Sequence, residues 1–392
     1  MNPAPQLSIF VLIDALGWQF LEDREFLSDL LPYRIPLRTV LGFSSGAIPT
    51  ILTGLPPSQT GHWNLFYYDP GGSPFRWLKP LRFLPSAVAD HRITRKVLKE
   101  MGRHILGLGK HFECCVSPRL LPWFNWIERR SIFDRGGISR APSIFDQLSE
   151  RGIRYRVYSY NQWTDKEILE RSRSDLQRRE ADFFFIYLSE MDQALHDYWK
   201  QPEELDTRLN LYADGLRQIF ELGKTIDENV TIAVFSDHGM TPVSQHFDLI
   251  GEVDTLGFVM PQDYLSVYDS TMARFWFFRE RTRPEIVERL ETLSCGRILP
   301  DDELRQLGIF FPDRRYGEVI FLLHPGWMFR RSDFNGRGWM PSGMHGYHPD
   351  DPYSYGVFLS NQEPSPPVCT LADVYGYMRE AAFHHPHTAG VR

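Results

Sequence analysis

Three short apolar runs, each followed at once by polar residues, restrict the possible fold more than any other feature of the chain. Apolar residues fill these runs almost completely, at Ser8–Ile13, Phe183–Leu188 and Thr231–Phe235, and Tyr155–Ser159 is a weaker candidate for a fourth strand. Such runs are typical of parallel strands that are covered on both faces. Helical patterns lie between them, at Ala141–Arg151, Asp165–Arg178 and Leu205–Thr225. The alternation of strands and helices predicts an α/β fold with a doubly wound, mainly parallel sheet.

The composition is that of a globular protein, with 42% hydrophobic and 24% charged residues among 392. The formal net charge of −7 does not favour a nucleic-acid partner, because nucleic-acid binders carry basic surfaces. The four cysteines form no CxxC pair, so neither a thiolate zinc site nor a disulfide framework is indicated. The N-terminal sequence lacks a basic segment, and no stretch approaches the length of about 18 apolar residues that a membrane span needs. We therefore expect a cytoplasmic protein.

Two segments interrupt the α/β pattern. Residues 71–140 hold 14 Lys and Arg against 5 Asp and Glu, together with many aromatic residues. Residues 251–324 show the order β, β, α, β, which suggests a small α+β cap. The predicted organisation is a catalytic core formed by residues 1–70, 141–250 and 325–392, with a basic, aromatic-rich insertion or lid at 71–140 and a cap at 251–324.

The basic insertion at 71–140 has three interpretations. Its charges can form a solvated surface, or a lid that neutralises a polyanionic substrate such as a nucleotide diphosphate. The apolar run Leu120–Ile127, followed by Arg129–Arg130, is also typical of a segment that binds an anionic membrane surface. Peripheral membrane contact through 71–140 is thus one expectation, and the sequence leaves all three open.

Acidic and imidazole side chains follow the predicted strands. Asp14 ends the first strand, Asp192 and His196 follow the second at a spacing of four, and Asp237 and His238 follow the third. Because the carboxyl ends of parallel strands meet at one edge of a sheet, we expect these side chains to lie close together. Carboxylate oxygens and imidazole nitrogens are ligands for zinc-like cations.

Each of these residues also has a simpler structural interpretation. A strand-end Asp often caps a loop or helix, and an Asp–His pair at i, i+4 can form a helix-surface hydrogen bond. The sequence DHG can begin a polar loop, in which Gly239 would give the backbone freedom to turn both neighbouring side chains toward one ion. His345 in GMHGY is a loop residue directed at a ligand, or part of a hinge.

The sequence LGFSSGAIPTILTG contains the candidate nucleophile. Ser44 and Ser45 precede Ala47–Leu52, a segment that can begin a helix. A hydroxyl at a helix N-terminus lies where backbone N–H groups and the helix dipole favour a phosphate. The alternative is that Ser44 or Ser45 only caps the helix.

Taken together, these pieces resemble the alkaline phosphatase superfamily, and most closely its type I phosphodiesterase/nucleotide pyrophosphatase branch. The matching sequences are VLIDALG, the hydroxyl ten residues before the Gly of ILTG, YLSEMDQALHDY, FSDHGM and GMHGYHP. They occur in family order and leave out only the insertion 71–140. The resemblance implies an alkaline phosphatase-type fold and hydrolysis of a phosphodiester or pyrophosphate bond in a small molecule, such as a nucleotide diphosphate.

The resemblance also implies roles for individual residues. Ser44 stands at the position of the nucleophile, with Asp14, Asp237 and His238 as ligands of the metal that activates it and Ser44 itself as a further ligand. Asp192, His196 and His345 match the ligands of a second metal. The implied mechanism is in-line displacement through a covalent Ser44 intermediate, with two divalent cations that clamp the attacking and leaving oxygens. Zinc suits these ligands, and manganese is the alternative.

Three departures from related patterns bear on the substrate. No Asn lies within Ser44–Gly54, so the phosphate-binding Asn of phosphodiesterases needs a substitute, either the backbone of Ser45 or Asn64. Gly46 and Ile48 stand where sulfatases carry Pro and Arg, which does not favour a sulfatase. Phe43 replaces the Asp of alkaline phosphatases, which favours a diester or pyrophosphate. A phosphomonoesterase, a phospho-group transferase or mutase, and a non-catalytic metal-stabilised binding protein are the alternative functions.

Overall fold

A computed structural model describes residues 6–83, 86–108, 112–160, 162–334 and 339–383. Sixteen strands are found in these residues. They are β1 (Ser8–Ile13), β2 (Tyr33–Leu37), β3 (Phe66–Tyr68), β4 (Phe124–Trp126), β5 (Tyr155–Tyr158), β6 (Phe183–Leu188), β7 (Thr231–Phe235), β8 (Thr241–Pro242), β9 (Gln245–Phe247), β10 (Tyr264–Tyr268), β11 (Met272–Phe277), β12 (Gly296–Ile298), β13 (Val319–Leu323), β14 (Trp327–Phe329), β15 (Gly343–Met344) and β16 (Gly356–Ser360).

The same residues form thirteen α-helices and three short 3₁₀-helices. The α-helices are α1 (Trp18–Leu21), α2 (Ser44–Thr53), α3 (Pro57–Thr60), α4 (Ser86–Ala89), α5 (Arg92–His104), α6 (Ile144–Glu150), α7 (Asp165–Gln177), α8 (Glu190–Tyr198), α9 (Pro202–Ile226), α10 (Leu249–Asp254), α11 (Thr282–Glu291), α12 (Asp301–Gln306) and α13 (Leu371–Phe383). The 3₁₀-helices are Arg76–Phe83, Leu121–Trp123 and Pro352–Ser354.

A six-stranded sheet with the order β2-β16-β7-β1-β6-β5 forms the centre of the fold. β1 pairs in parallel with both β6 and β7, and β5 pairs in parallel with β6, whereas β16 runs antiparallel to its neighbours β2 and β7. The predicted α/β fold with a mainly parallel sheet is therefore confirmed. The three apolar runs form the three adjacent strands β6, β1 and β7.

Helices cover both faces of the central sheet, which explains why its inner strands are almost entirely apolar. Ile9 and Val11 of β1 belong to one buried cluster, which includes apolar residues of α7, α8 and α9. Phe10 and Leu12 point the other way, into a second cluster with residues of α2, α6 and α13. Apolar side chains thus cover both faces of β1. The acidic residue Asp14 comes directly after the strand.

The two strands of the central sheet that the sequence analysis did not identify are β2 and β16. β2 has the sequence YRIPL, with exposed and partly exposed residues before Leu37, because it lies at the edge of the sheet. Pro36 is tolerated at an edge, where an unpaired backbone position needs no donor. β16 is buried, but its sequence GVFLS has only three consecutive apolar residues, a run too short to indicate a strand.

A second, antiparallel sheet has the order β10-β11-β13-β12 and packs with α11. The insertion contacts this sheet, because Phe124 and Trp126 share a buried cluster with Leu265 and Trp276. β3, just before the insertion, pairs antiparallel with β4 inside it. The division of the chain into the five predicted segments remains a prediction.

The apolar run Leu120–Ile127 is part of the protein interior. Leu121 and Phe124 are fully buried and Trp126 is 2% exposed, so these three side chains are not free to contact lipid. Their partners are the aromatic residues of the same cluster. Membrane contact through other residues of the insertion stays a prediction. Among the described residues, none of the helices has the length and apolar character of a membrane span.

Candidate active site

The first group of predicted ligands lies at the carboxyl ends of β1 and β7. Asp14 follows β1 directly, and Asp237 and His238 follow β7 after Ser236. Because the two strands are parallel neighbours, their ends bring the three side chains together. His238 Nε2 lies 3.5 Å from Asp14 Oδ1 and 3.3 Å from Asp237 Oδ2. The donor atoms of this first triad lie within 4.8 Å of one another.

The second group combines α8 with the loop after β15. Asp192 and His196 lie one helical turn apart on α8, which places both side chains on the same face. Asp192 Oδ1 is 3.3 Å from His196 Nε2 and 3.5 Å from His345 Nε2. These three residues form the second triad, again with donor atoms within 4.8 Å of one another.

The two triads are adjacent and Ser44 lies beside the first. The rings of His238 and His345 stack with centroids 3.8 Å apart and an angle of 11° between their planes. Ser44 is the first residue of α2, and its Oγ lies 3.1 Å from His238 Nε2. The structure thus brings together all seven residues that the sequence analysis selected.

The hydroxyls of Ser44 and Ser45 do not cap α2, in contrast to the alternative interpretation. The N-cap residue is Phe43, without a side-chain cap hydrogen bond. The Ser45 hydroxyl donates to the carbonyl oxygen of Trp63 at 2.9 Å, away from the triads. Ser44 alone of the two directs its hydroxyl toward the predicted ligands.

Backbone carbonyls fix the imidazole orientations. His196 Nδ1 lies 2.8 Å from the carbonyl oxygen of Gly343, and His238 Nδ1 lies 2.9 Å from that of Gly239. A carbonyl can only accept, so both Nδ1 atoms carry the proton. In the neutral ring the lone pair of Nε2 then faces the triad, as in metal-binding histidines. The Ser44 hydroxyl accordingly donates to His238 Nε2.

Gly239 is required for a different reason from the one that the sequence suggested. Its backbone does not adopt a positive φ. A Cβ at this position would lie 2.2 Å from the carbonyl oxygen of Tyr353 and 2.6 Å from that of Tyr355. Close backbone packing, rather than conformational freedom, therefore demands glycine after His238.

Several donor atoms of the triads have no hydrogen-bond partner within the described part of the chain. They include three buried carboxylate oxygens, namely Asp14 Oδ1, Asp192 Oδ1 and Asp237 Oδ2. Buried polar atoms are normally paired, and an unpaired one is expensive. In the first triad, two such oxygens converge with the lone pair of an imidazole nitrogen. A divalent cation satisfies all three donors, so the residues present fit the metal sites that the sequence predicts.

The pKa shifts of residues in the two triads also support bound cations. Burial raises the pKa of Asp14 well above its usual value, and the nearby carboxylates of Asp237 and Asp192 raise it further. Burial and the neighbouring His238 hold the pKa of His345 well below its usual value. Burial would raise the pKa of Asp192, but the surrounding imidazoles, first among them His196, lower it overall. Crowded carboxylates and a neutral imidazole are the state that a bound cation stabilises.

The sequence analysis missed Tyr187, which supports the first triad. Tyr187 lies in β6 opposite Leu12 of β1, and its hydroxyl donates a hydrogen bond to Asp14 Oδ2. Burial and the charge of Asp14 raise the pKa of this phenol well above its usual value. The available signal was a single hydroxyl in the otherwise apolar run FFFIYL, level with the end of the neighbouring strand.

A cavity of about 280 Å³ lies beside Ser44. Its lining includes Ser44, Ser45 and Asn64, so the amide suggested as a phosphate donor shares the cavity with Ser44. Asn64 is 1% exposed, and its side-chain nitrogen lies 4.0 Å from the sulfur of Met272. The amide is therefore held in place by the second sheet, at the wall of the cavity.

Comparison with known proteins is consistent with this geometry. Human ectonucleotide pyrophosphatase/phosphodiesterase 5 has a similar structure, with a TM-score of 0.66 at 13% identity over 98% of this chain and 97% of that one. An inactive form of the murine protein in complex with AMP gives a TM-score of 0.65 at 16% identity, over 97% of this chain and 96% of that one. Phosphonoacetate hydrolase from Sinorhizobium meliloti 1021, in complex with phosphonoformate, gives a TM-score of 0.65 at 14% identity, over 97% of this chain and 96% of that one.

These likenesses confirm the predicted fold of the alkaline phosphatase type. No curated protein sequence matches this chain significantly. The family model for type I phosphodiesterase/nucleotide pyrophosphatase, in contrast, matches residues 9–348, which include both triads and Ser44. The chain is therefore an enzyme that belongs to the type I phosphodiesterase/nucleotide pyrophosphatase family.

Proposed function

We propose that this enzyme hydrolyses a phosphodiester or pyrophosphate bond, with Ser44 as the nucleophile and two zinc ions as cofactors. The observation that carries the proposal is the position of the Ser44 hydroxyl, 3.1 Å from His238 Nε2. This nitrogen belongs to a triad whose carboxylate oxygens are buried and unpaired among the described residues. A serine hydroxyl in such surroundings is poised to ionise beside a cation.

The two triads would hold the cations. Asp14, Asp237 and His238 would bind one ion together with Ser44, and the second triad would bind the other. Ions at these positions would supply positive charge to the attacking and leaving oxygens of an in-line displacement. The mixture of carboxylate and imidazole donors suits zinc, and manganese is the alternative.

Residues of the chain itself carry out nucleophilic attack and bind the phosphoryl oxygens. Ser44 attacks phosphorus, a new O–P bond forms as the bond to the leaving oxygen breaks, and water then hydrolyses the covalent intermediate to regenerate the hydroxyl. The first N–H groups of α2 lack intrahelical partners, so those of Ser44 and Ser45 can donate to a phosphoryl oxygen. Asn64, in the wall of the same cavity, supplies a further donor in place of the family's phosphate-binding Asn.

The cavity wall favours a diester over a monoester. No Arg, Lys or His is found among the described residues that line the cavity beside Ser44. The additional negative oxygen of a monoester would therefore meet no cationic side chain there, whereas the organic group of a diester would meet apolar walls. We expect hydrolysis of bis(4-nitrophenyl) phosphate to exceed that of 4-nitrophenyl phosphate, and a strong preference for the monoester would favour the phosphomonoesterase alternative.

Replacement of each serine tests the role of Ser44. We expect Ser44→Ala to lower kcat on bis(4-nitrophenyl) phosphate by roughly 10³-fold or more, because the covalent route is lost. Ser45→Ala is the matched control, since its hydroxyl binds the carbonyl oxygen of Trp63. Rapid acid quenching of the wild type, followed by mass spectrometry, should find the phosphoryl adduct on Ser44. Full turnover by Ser44→Ala, with unchanged metal content, would refute the proposal.

A further inference from the structure

The cavity beside Ser44 contains a carboxyl group that the two triads do not use. Glu128 lines this cavity together with Ser44. No hydrogen-bond or ion-pair partner of its carboxylate is found among the residues that the structure describes. Glu128 is partly exposed, and the partial burial of its carboxyl group, with no compensating charge beside it, raises the pKa of Glu128 to about 7.

A rigid part of the fold holds Glu128 in place. Glu128 lies two residues after the end of β4. Its backbone carbonyl accepts a hydrogen bond of 2.9 Å from Nε1 of Trp126. Trp126 is buried and pairs with Phe66 across the β3–β4 ladder. The carboxyl group is therefore presented to the cavity from a packed strand pair.

Aromatic rings form the walls around this carboxyl group. The cavity is lined by Trp126, Phe133, Tyr160 and Tyr187. Tyr187 contacts both Phe133, with ring centroids 5.5 Å apart, and Tyr160, with centroids 5.7 Å apart. Three of the four rings thus form a continuous surface that joins the first triad to the cavity.

The chemistry of this lining selects among the groups that a substrate can carry. An isolated carboxylate and the faces of aromatic rings both attract an organic cation, and quaternary ammonium groups are bound in this way. An anionic group, such as a second phosphate, would be repelled by the carboxylate. A neutral apolar group would fill the cavity but leave Glu128 without a partner. The volume of about 280 Å³ lies just below the range of small-molecule sites, roughly 300–1,000 Å³, which suits a compact group.

We propose that this cavity binds an alkylammonium group of the substrate, with Glu128 as the residue that determines this specificity. The inference rests on the proposed function, since Ser44 lines the same cavity. A phosphodiester of an ammonium-bearing alcohol would then place its phosphorus at Ser44 and its positive charge at Glu128. The aromatic faces of Tyr160 and Trp126 would contribute by cation–π attraction.

Two esters of the same shape test the proposal. 4-Nitrophenyl phosphocholine carries a trimethylammonium group, and 4-nitrophenyl 3,3-dimethylbutyl phosphate is its uncharged isostere. We expect wild-type kcat/KM for the charged ester to exceed that for the neutral one by about 10- to 30-fold, the range that a desolvated cation–π contact gives. In Glu128→Gln this ratio should fall close to 1. Glu128→Asp, which keeps the charge, should retain part of the preference.

A binding measurement separates this proposal from the proposed function. Because Trp126 lines the cavity, choline should change the intrinsic fluorescence of the wild type, whereas 3,3-dimethylbutanol at equal concentration should not. Failure to hydrolyse either ester would contradict the proposed function, and the choline titration would then decide the cavity proposal alone. Equal kcat/KM for the two esters, or a choline response that Glu128→Gln leaves intact, would overturn the assignment of Glu128.

Discussion

Replacement of Glu128 by Gln should stabilise the protein at alkaline pH. The pKa of Glu128 is raised from 4.5 to about 7 by burial, so the folded state disfavours the ionised form. Since one pKa unit corresponds to about 1.4 kcal/mol, ionised Glu128 costs the folded state about 3 kcal/mol. Gln is nearly isosteric with Glu and cannot ionise, so this variant avoids that free-energy cost.

The sign of the effect follows from proton linkage. Between pH 4.5 and 7 the folded state binds more protons at Glu128 than the unfolded chain does, so the stability of the wild type falls as the pH rises. Above pH 7 the loss is complete. At pH 5 the cost of the raised pKa is less than about 1 kcal/mol, and the two proteins should have nearly equal stability.

Thermal unfolding at two pH values measures this difference. The unfolding entropy of globular proteins is about 2.1 cal/mol/K per residue, so 3 kcal/mol corresponds to a rise in Tm of about 4 °C for a chain of this length. We expect Glu128→Gln to unfold about 4 °C above the wild type at pH 8.5 and within about 1 °C of it at pH 5. Glu280→Gln, at an exposed position, is the control and should leave Tm unchanged at both pH values. Equal Tm values for Glu128→Gln and the wild type at pH 8.5 would refute the view that an unpaired carboxylate lies in this cavity.

Three further predictions concern the two triads and the phosphate donors. Removal of metal by a chelator should abolish hydrolysis of bis(4-nitrophenyl) phosphate, and added zinc or manganese should restore it; activity that survives complete metal removal would contradict the proposed mechanism. Tyr187→Phe, which deletes the hydrogen bond to Asp14, should lower zinc affinity or kcat by roughly 10- to 100-fold, measured by competition with a fluorescent chelator, and an unchanged affinity and rate would show that Asp14 needs no such support. Asn64→Ala should lower kcat by roughly 10²-fold with little change in metal content, whereas wild-type kinetics would leave the backbone of Ser45 as the phosphate donor.

The parts of the fold that the sequence predicts well are those where burial and periodicity agree. Ser8–Ile13, Phe183–Leu188 and Thr231–Phe235 were predicted with the bounds that the structure shows, because strands covered by helices on both faces must be apolar throughout. β2 could not be identified in the same way, since it lies at the edge of the sheet and tolerates Arg34 and Pro36. Its pairing with β16 depends on a contact across more than 300 residues, which no local pattern records.

The same distinction applies to the candidate site. Asp14, Asp192 and Asp237 could be predicted because each follows a strand or begins the helix after it, and the order of the strands then dictates their proximity. Tyr187 was missed because its neighbour on β1 is set by the register of two strands, which the sequence of one strand does not contain. Glu128 was missed because only the three-dimensional packing shows that its carboxyl group lacks a partner.

The residues proposed for catalysis and those proposed for substrate choice come from different parts of the chain. Six of the seven residues of the two triads and Ser44 follow β1 or β7 or lie on α2 or α8 of the central core, whereas His345 follows the short strand β15. Glu128 and Trp126, in contrast, come from the insertion, which contacts the core through the short β3–β4 pair and the second sheet. A change in the insertion can therefore alter the charge of the cavity beside Ser44 without moving a ligand. Under the proposed function, the phosphorus chemistry is thus set by the core, and the group that the phosphodiester carries is chosen by a segment that can vary independently of it.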